Sequence, residues 1–284
     1  MTALRFKKPE IKATRLKVMF YGEMGTGKSI CACSFPETAY IDTEGTTSKV
    51  KYAQTIINND GQVIETGDFE EILSTVKALM TTKHNFKTLV IDSLTVPYEN
   101  LIIECERKVG SEFGRHVTAA NSKMKQLVNL LLRIDMNVII TCQAKKEYGG
   151  KMEVIGQTYN CYNRLGYMFD LVFEAQVRGD KHVGVVRKSR IDSFPMRDSF
   201  DFSYDEIKKR YGSEIMEKAV VAETLASHEQ LKELNRLIEA FSITEEVTQK
   251  WLDKCNCENF SEMPGETIQK CIDSLHKKLQ GVAA

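Results

Sequence analysis

Residues 22–29 have the sequence Gly-Glu-Met-Gly-Thr-Gly-Lys-Ser, which matches the pattern G-x-x-x-x-G-K-[ST] of a phosphate-binding loop. The glycines of such a loop let backbone N–H groups surround phosphate oxygens, the lysine reaches the β- and γ-phosphates, and the final hydroxyl ligates Mg²⁺. The loop follows an apolar, strand-forming stretch at 16–21 and precedes short side chains that can begin a helix. We therefore predict a site for ATP and Mg²⁺, in which Lys28 contacts the phosphates and Ser29 the metal. The predicted nucleotide-binding residues are Gly22, Glu23, Met24, Gly25, Thr26, Gly27, Lys28, Ser29 and Ile30.

A carboxylate stands at the end of the apolar strand predicted at residues 88–92. Asp92 is the last residue of the run Thr-Leu-Val-Ile-Asp, and the carboxyl ends of parallel strands open onto the ligand crevice of an α/β sheet. A carboxylate in that place can hold the Mg²⁺ shell. We predict that Asp92 supports the metal; an aspartate that only begins a turn is the simpler alternative.

Three more polar residues follow predicted strands. Asp42 and Glu44 come at the end of the strand at 38–42, where one carboxylate could orient or deprotonate the attacking water. We favour Glu44 as this base and keep Asp42 as the alternative, since a strand-end aspartate more often begins a turn. Gln143 follows the strand at 137–142, where its amide can sense the γ-phosphate and couple it to the next segment.

Two cations end a hairpin predicted from strands at 171–177 and 182–188. In a monomer Lys188 and Arg190 are ordinary surface charges, which contribute little to stability. In an oligomer they can reach the γ-phosphate bound by a neighbouring subunit, as fingers in trans. We favour the finger role.

The segment 144–160 begins beside Gln143 and is long, polar and glycine-rich, which predicts a functional loop. From Lys145 to Arg190 nine residues are basic and five acidic, although the whole chain has 39 residues of each sign. Basic side chains can follow a phosphate backbone, and aromatic rings can stack on bases. The predicted contacts with single-stranded DNA are Lys145, Lys146, Tyr148 and Lys151, with a solvated lid as the alternative.

Predicted strands alternate with amphipathic helices and end in a hairpin, which indicates an α/β fold with a mostly parallel sheet. After about residue 203 the composition changes, and from 227 onward the apolar spacing is purely helical. We divide the chain into a basic N-terminal arm at 1–15, a core at 16–205, a connector at 206–226 and a small all-helical domain at 227–284.

The chain has 284 residues, of which 42% are hydrophobic and 27% charged, with no net charge. This composition is typical of a folded globular protein, and it excludes a chain that binds nucleic acid through bulk positive charge. No apolar run approaches the ~18 residues of a membrane helix, so we expect no membrane association. Most of the eight cysteines stand singly in apolar stretches, which is typical of reduced thiols and favours the cytoplasm.

These motifs occur in an order that resembles the RecA-core ATPases. The shared features are the P-loop at 22–29, Asp42-Thr-Glu44, Val90-Ile-Asp92-Ser93, the strand at 138–143 and Lys188-Ser-Arg190. The last is similar to the Lys-Asn-Arg finger motif of RadA-type proteins, with Ser189 in place of asparagine. The short core and small helical tail look most like the phage-encoded RecA-core annealing ATPases.

The resemblance implies a RecA-like core that hydrolyses ATP with Mg²⁺, in which Glu44 activates water and Gln143 couples nucleotide to the DNA-facing segment. It also implies a homo-oligomer, ring or filament, whose Lys188 and Arg190 act across a subunit interface. Such a protein binds single-stranded DNA and promotes annealing beside a single-strand-binding protein, in the host cytoplasm. Two other functions remain open: a RecA-type helicase or helicase loader, and a nucleotide-dependent switch whose helical domain binds a protein.

Overall fold

A computed structural model describes residues 14–150, 153–217, 225–255 and 257–282, with side chains described as far as residue 277. Within these residues the strands are β1 (Lys17–Gly22), β2 (Thr38–Asp42), β3 (Gln62–Glu65), β4 (Thr88–Asp92), β5 (Asn137–Tyr148), β6 (Val154–Tyr159), β7 (Leu171–Arg178), β8 (Lys181–Ser189) and β9 (Ser199–Asp201). The helices are α1 (Lys28–Cys33), α2 (Val50–Asn58), α3 (Phe69–Thr81), α4 (Thr95–Val109), α5 (Arg115–Arg133), α6 (Leu165–Met168), α7 (Tyr204–Tyr211), α8 (Ser213–Glu217), α9 (His228–Ala240), α10 (Glu245–Cys255) and α11 (Gly265–Val282). Most of the basic arm predicted at 1–15 lies outside the described residues.

The strands form one sheet in the order β3-β2-β4-β5-β1-β7-β8-β9, and β6 pairs with the far end of β5. Every pair from β3 to β7 along this order is parallel, whereas β8 and β9 run antiparallel to their neighbours. The predicted fold class, an α/β fold with a mostly parallel sheet and an antiparallel hairpin at one edge, is therefore confirmed. β1, which leads into the P-loop, lies between β5 and β7.

Helices cover both faces of the central strands, and the residues of β1 alternate between two apolar clusters. Phe20 packs on the side of α1, with Phe35 and Phe173. Met19 packs on the opposite side, in the cluster of α3, α4 and α5 that includes Leu127. Because both faces are buried, β1 has no polar alternation, as a covered parallel strand requires. Each fully buried side chain of this size contributes about 1.5–3 kcal/mol.

Two elements that the sequence pattern did not predict lie between β2 and α3. They are helix α2 and strand β3, which pairs parallel with β2 at the edge of the sheet. All four residues of β3 are exposed, and Val63 and Ile64 each keep 38% of their surface accessible. A short edge strand with no buried face leaves no hydrophobic alternation to detect, because its pairing with β2 depends on main-chain hydrogen bonds.

The prediction of a loop at 144–160 is wrong. β5 continues past Cys142 as far as Tyr148, and β6 pairs with this extension from Ala144↔Tyr159 to Tyr148↔Val154. The two strands project from the sheet as a β-hairpin (the β5–β6 hairpin). The sequence pattern did not predict this hairpin because the segment is rich in glycine and charged residues. Most of its residues are exposed, so they show no period-two apolar alternation.

The predicted connector also differs in the structure. Residues 204–217 form α7 and α8, whose Ile207, Tyr211 and Met216 pack into the apolar cluster that contains α1. This part of the chain therefore packs with the core. Of the rest of the predicted connector, 218–224 lie outside the described residues, whereas Leu225 is buried in the cluster of α3, α4 and α5 and Ala226 in the cluster of the C-terminal helices.

Helices α9, α10 and α11 occupy the segment predicted as helical and enclose a third apolar cluster. Ser227 and Gln230 form a reciprocal capping box at the start of α9, which satisfies backbone N–H groups that the first turn leaves unpaired. Leu234, Leu237 and Ile272 are buried between the helices. No helix in the described part of the chain is both long and apolar enough to cross a membrane.

One buried carboxylate joins the C-terminal helices to the core. Glu262 is 2% exposed and accepts hydrogen bonds from Lys77 on α3 (3.0 Å), from Asn259 (2.6 Å) and from Gln126 on α5. The guanidinium of Arg133 donates to the Glu262 carbonyl at 2.9 Å. These side-chain contacts bind the helical domain to α3 and α5.

Glu262→Ala is expected to lower the free energy of unfolding of the C-terminal helices by about 3 kcal/mol, because it leaves Lys77 and Gln126 without their buried acceptor. The chain's single tryptophan, Trp251 on α10, reports this unfolding in a urea titration followed by fluorescence. The control is Glu266→Ala, since Glu266 and its partner Lys270 are 89% and 76% exposed. That exchange should change the value by less than about 0.5 kcal/mol; equal effects of the two variants would contradict the role of Glu262.

Candidate functional site

The P-loop at 22–29 turns sharply between β1 and α1. Gly25 and Gly27 have φ of +80° and +90°, in the left-handed region that favours glycine. Gly22 needs its missing side chain for a different reason, because a Cβ there would lie 2.4 Å from the carbonyl oxygen of Ala175. Thr26 braces the loop from within, its hydroxyl donating to the Glu23 carbonyl at 2.8 Å.

Lys28 lies across the mouth of this loop. Its ammonium donates to the carbonyl oxygens of Gly22 and Glu23, both at 2.8 Å. Burial lowers the pKa of Lys28, and the carboxylates of Asp92 and Glu44 act in the opposite direction. The lysine is therefore held among carboxylates and carbonyls at the site where phosphate charge would be received.

Asp92 is 4% exposed at the end of β4 and accepts two hydroxyl hydrogen bonds. Tyr40 donates to one carboxylate oxygen at 2.6 Å, and Thr141 on the neighbouring strand β5 donates to the other. Burial, together with the nearby Asp92, raises the pKa of Tyr40 well above its usual value, so Tyr40 remains a donor. A buried carboxylate held by two hydroxyls suits a hard cation such as Mg²⁺, which prefers oxygen donors. Ser29, the other predicted metal ligand, is the second residue of α1.

Glu44, Ser93 and Gln143 meet just after the ends of β2 and β4, beside the last residue of β5 that pairs with β1. Glu44 Oε1 accepts a hydrogen bond from the Ser93 hydroxyl at 2.6 Å and from the Gln143 amide at 2.9 Å. Three segments far apart in sequence thus converge on one carboxylate oxygen. Glu44 and Gln143 lie together as the strand ends predicted, whereas Ser93 was not singled out as a member of the site.

Asp42 has a different environment from Glu44. Its carboxylate is 1% exposed and accepts from the backbone N–H of Glu44 (3.0 Å), and from the backbone N–H and hydroxyl of Thr47 (2.7 and 2.6 Å). Burial would raise the pKa of Asp42, but the hydrogen bonds from Thr47 and Glu44 outweigh it and lower the pKa. Asp42 is fully engaged in holding the loop that carries Glu44, which favours Glu44 as the group that faces substrate.

The β5–β6 hairpin is connected to the nucleotide-facing residues at its base and along β6. At the base, the Gln143 carbonyl accepts from the Asn160 N–H at 2.7 Å, and Thr95 bridges the same two residues. Along β6, the Gln157 amide donates to the carboxylate of Glu23 in the P-loop. The hairpin therefore touches the P-loop directly and reaches Glu44 through Gln143.

The predicted DNA-contacting residues lie on this hairpin. Lys145, Lys146 and Tyr148 are exposed on the extended part of β5, and Tyr148 keeps 57% of its surface accessible. Lys146 faces Gln157 across the hairpin, on the side that touches the P-loop. Lys151 lies outside the described residues.

Lys188 and Arg190 lie near the amino-terminal ends of the parallel strands, whereas the P-loop of the same chain follows the carboxyl end of β1. The registers align Ser189 with Leu171 and Leu171 with Val18, at the start of β1. Since the P-loop begins four residues further along β1, about 13 Å separates the two ends. Neither cation can therefore act on the phosphates bound by its own subunit.

Both of these cations have partners within the chain. The Lys188 ammonium donates to the carbonyls of Gly166, Tyr167 and Phe169 at 2.5–2.8 Å, and burial, with the nearby Arg190, lowers its pKa. Arg190 pairs with Asp170 at 2.9 Å while remaining 56% exposed. Arg190 thus keeps an accessible guanidinium, whereas Lys188 supports the turn after α6.

A residue near the P-loop that the sequence analysis missed is His182 at the start of β8. A Cβ built on Gly27 would lie 3.0 Å from His182 Nδ1, so the imidazole borders the P-loop backbone. A lone histidine after a hairpin turn has no sequence signature. The antiparallel pairing of β8 with β7 brings it to the P-loop end of the sheet.

A P-loop on the central strand of a mostly parallel sheet, facing a buried carboxylate at the end of β4, defines a P-loop nucleotide-binding protein. The chain belongs to the AAA domain family, whose model matches residues 14–194. Among solved structures, the crystal structure of the RadB recombinase is 20% identical over 66% of this chain and 86% of that chain, with a TM-score of 0.46. No curated protein matches the sequence.

Asp42→Asn is expected to lower the free energy of unfolding of the core by about 2 kcal/mol at pH 7, because hydrogen bonds to a charged acceptor are lost or reversed. The folded-state pKa of Asp42 is lowered. Its contribution is therefore complete above the ordinary aspartate pKa of about 4 and is lost as the pH falls through the lowered folded value.

Denaturant titrations followed by circular dichroism at several pH values check this expectation. The difference between wild type and Asp42→Asn should narrow as the pH falls below about 4. Glu44→Gln is the control, since its amide retains an acceptor oxygen for Ser93. An equal loss of stability in both variants would contradict the structural role assigned to Asp42.

Proposed function

We propose that this protein is a RecA-type ATPase that binds single-stranded DNA and promotes annealing or recombination in phage DNA metabolism. The observation that carries the proposal is the hydrogen bond between Gln143 and Glu44. It joins the candidate hydrolytic carboxylate to the first residue of the exposed part of β5, which carries Lys145 and Lys146. A protein that only stores or exchanges nucleotide has no need of such a connection.

The arrangement supports hydrolysis of the β–γ bond of ATP. Lys28 would exchange its carbonyl partners for phosphate oxygens and neutralise their charge. Glu44, held by Ser93 and Gln143, would orient the attacking water and accept its proton. Mg²⁺, held by Ser29 and in the field of Asp92, would supply charge neutralisation at the β- and γ-oxygens.

The hairpin supports a nucleotide-dependent grip on DNA. If the Gln143 amide turns to bind a γ-phosphate, the hydrogen bonds that the Gln143 backbone makes at the base of the hairpin would change first. Lys145, Lys146 and Tyr148 lie within five residues of that point. Two cations with one aromatic ring suit a phosphate backbone and a stacked base. Because the chain has no net charge, we expect DNA to bind at this local surface rather than through bulk positive charge.

In the proposed homo-oligomer, Arg190 acts in trans. Its guanidinium is accessible and lies at the end of the strands that is away from its own P-loop. A head-to-tail arrangement of subunits, in a ring or filament, would bring the end of the strands that carries Arg190 to the P-loop of a neighbour. Annealing beside a single-strand-binding protein in the host cytoplasm completes the proposal.

ATP hydrolysis measured at low salt with and without single-stranded DNA is the decisive experiment. The wild-type rate should rise at least tenfold with DNA, and Lys28→Ala should abolish it, since the γ-phosphate loses its main cation. Lys145→Ala combined with Lys146→Ala should keep the basal rate and lose most of the stimulation. The matched control exchanges two exposed lysines of α10, Lys250 and Lys254.

Stimulation in the control pair but not in the hairpin pair is the expected pattern. A wild-type rate indifferent to DNA would contradict the proposal and favour the nucleotide-dependent protein switch. DNA-driven strand displacement without annealing would favour the helicase.

A subunit-mixing experiment tests the role of Arg190. Lys28→Ala and Arg190→Ala subunits should each be inactive alone. In an equal mixture that has exchanged subunits, about a quarter of interfaces pair an intact P-loop with an intact Arg190, so about a quarter of wild-type activity should return. Mixing Lys28→Ala with Glu44→Ala is the control, because both lesions fall in the same subunit's half of the site. Recovery no greater than in that control would contradict action in trans.

A further inference from the structure

The P-loop has a second neighbour besides the hydrolytic residues, namely a cleft of about 740 Å³ formed by the turn between β7 and β8 together with β9. We propose that this cleft receives the purine base and ribose of the nucleotide, and that His182 stacks on the base. The inference rests on the proposed ATPase function, since it assigns the remaining part of the same ligand.

The order of the strands gives the nucleotide a direction. Asp92 ends β4, Glu44 follows β2, and Gln143 is the last residue of β5 that pairs with β1; these three strands all lie on one side of β1. The γ-phosphate end of the nucleotide must face these residues. The nucleoside end must therefore leave the P-loop on the other side of β1, over β7, β8 and β9. The cleft lies on that side.

His182 connects the cleft to the phosphate-binding backbone. It lines the cleft, and its ring also borders Gly27 of the P-loop, with ring atoms 3.0–3.4 Å from where a Cβ would stand. His182, Gly184 and Val186 alternate onto one face of β8, and Val186 packs in the cluster that contains α1. The imidazole therefore lies on the same face of the sheet as the helix that follows the P-loop.

The lining of the cleft suits a flat heteroaromatic ring with a sugar. Phe200 and Phe202 form its inner wall, 4% and 6% exposed, and a side chain at Gly184 would collide with both rings. The polar groups at its mouth include Asp201 and Lys181, which can meet exocyclic amines, ring nitrogens or ribose hydroxyls. A volume of this size lies within the ordinary range for small-ligand sites. An apolar wall with a few polar groups at the rim is the usual composition of such a site.

Because His182 also borders Gly27, its stacking on the base has to be distinguished from a general role in shaping the P-loop. A residue that only shapes the P-loop would affect every ligand of the loop equally. A residue that stacks on the base would affect only ligands that carry a nucleoside. Tripolyphosphate, which has the phosphates alone, distinguishes the two cases.

Isothermal titration calorimetry of ADP and tripolyphosphate tests the proposal on the full-length protein. His182→Ala should weaken ADP binding about tenfold, as loss of one stacking contact does, and should leave tripolyphosphate affinity within twofold of wild type. His182→Phe should bind ADP within about threefold of wild type, because the phenyl ring keeps the stacking surface. His228→Ala, at an exposed histidine on α9, is the matched control and should change neither affinity.

Equal weakening of ADP and tripolyphosphate in His182→Ala would overturn the assignment, as would an ADP affinity that does not change. A His182→Phe variant as weak as His182→Ala would also overturn it. If wild type binds neither ligand, the proposed ATPase function fails first; if it binds both and His182 makes no selective difference, only the nucleoside site fails.

Discussion

The carboxylate of Glu44 is the point on which the functional half of this molecule depends. It lies after β2, but its two hydrogen-bond partners come from the residue after β4 and from β5, so its position is correct only when three parallel strands are in register. The Asp42 carboxylate holds the loop that carries Glu44 by accepting hydrogen bonds from the backbone N–H groups of Glu44 and Thr47. The register of the buried sheet therefore determines where the Glu44 carboxylate stands relative to the P-loop.

The same sheet divides the surroundings of the P-loop into two sides. On the side of β5, polar side chains converge and the chain continues into an exposed basic hairpin. On the side of β7, the chain turns back through β8 and brings His182 and an aromatic-walled cleft against Gly27. This asymmetry follows from the position of β1 between β5 and β7. In the proposed function, this asymmetry would give the nucleotide one orientation and place the hairpin, rather than the cleft, beside the γ-phosphate.

Interactions at the periphery connect this site to the rest of the chain. The β5–β6 hairpin contacts the P-loop through Gln157 and Glu23, and the C-terminal helices are fastened to α3 and α5 through the buried Glu262. Both are polar contacts in which a charged group has several donors, so each is specific in geometry and costly to leave half made. The helical domain thus lies on the face of the core formed by α3 and α5 rather than beside the P-loop.

The covered strands β1, β4 and β5 were predictable because a parallel strand buried on both faces leaves a continuous apolar run. The P-loop was predictable because phosphate binding demands glycines and a lysine at invariant spacing. β3 and the β5–β6 hairpin were not, since exposed strands carry no such run and their pairing is made by the main chain. His182 and Ser93 were not found for a related reason: single polar residues become a site only through their neighbours.

Local chemistry in the chain was thus enough to specify the α/β class, the P-loop and the positions of Asp92, Glu44 and Gln143 after apolar runs, because each depends on short-range spacing. What distinguishes Asp42 from Glu44 is that the Asp42 carboxylate is buried and holds its own loop by hydrogen bonds, which is a property of its folded neighbours. The placement of Lys188 and Arg190 away from their own P-loop depended on the antiparallel register of β8. Spacing along a chain specifies which groups are available, and strand pairing across the sheet specifies which of them meet.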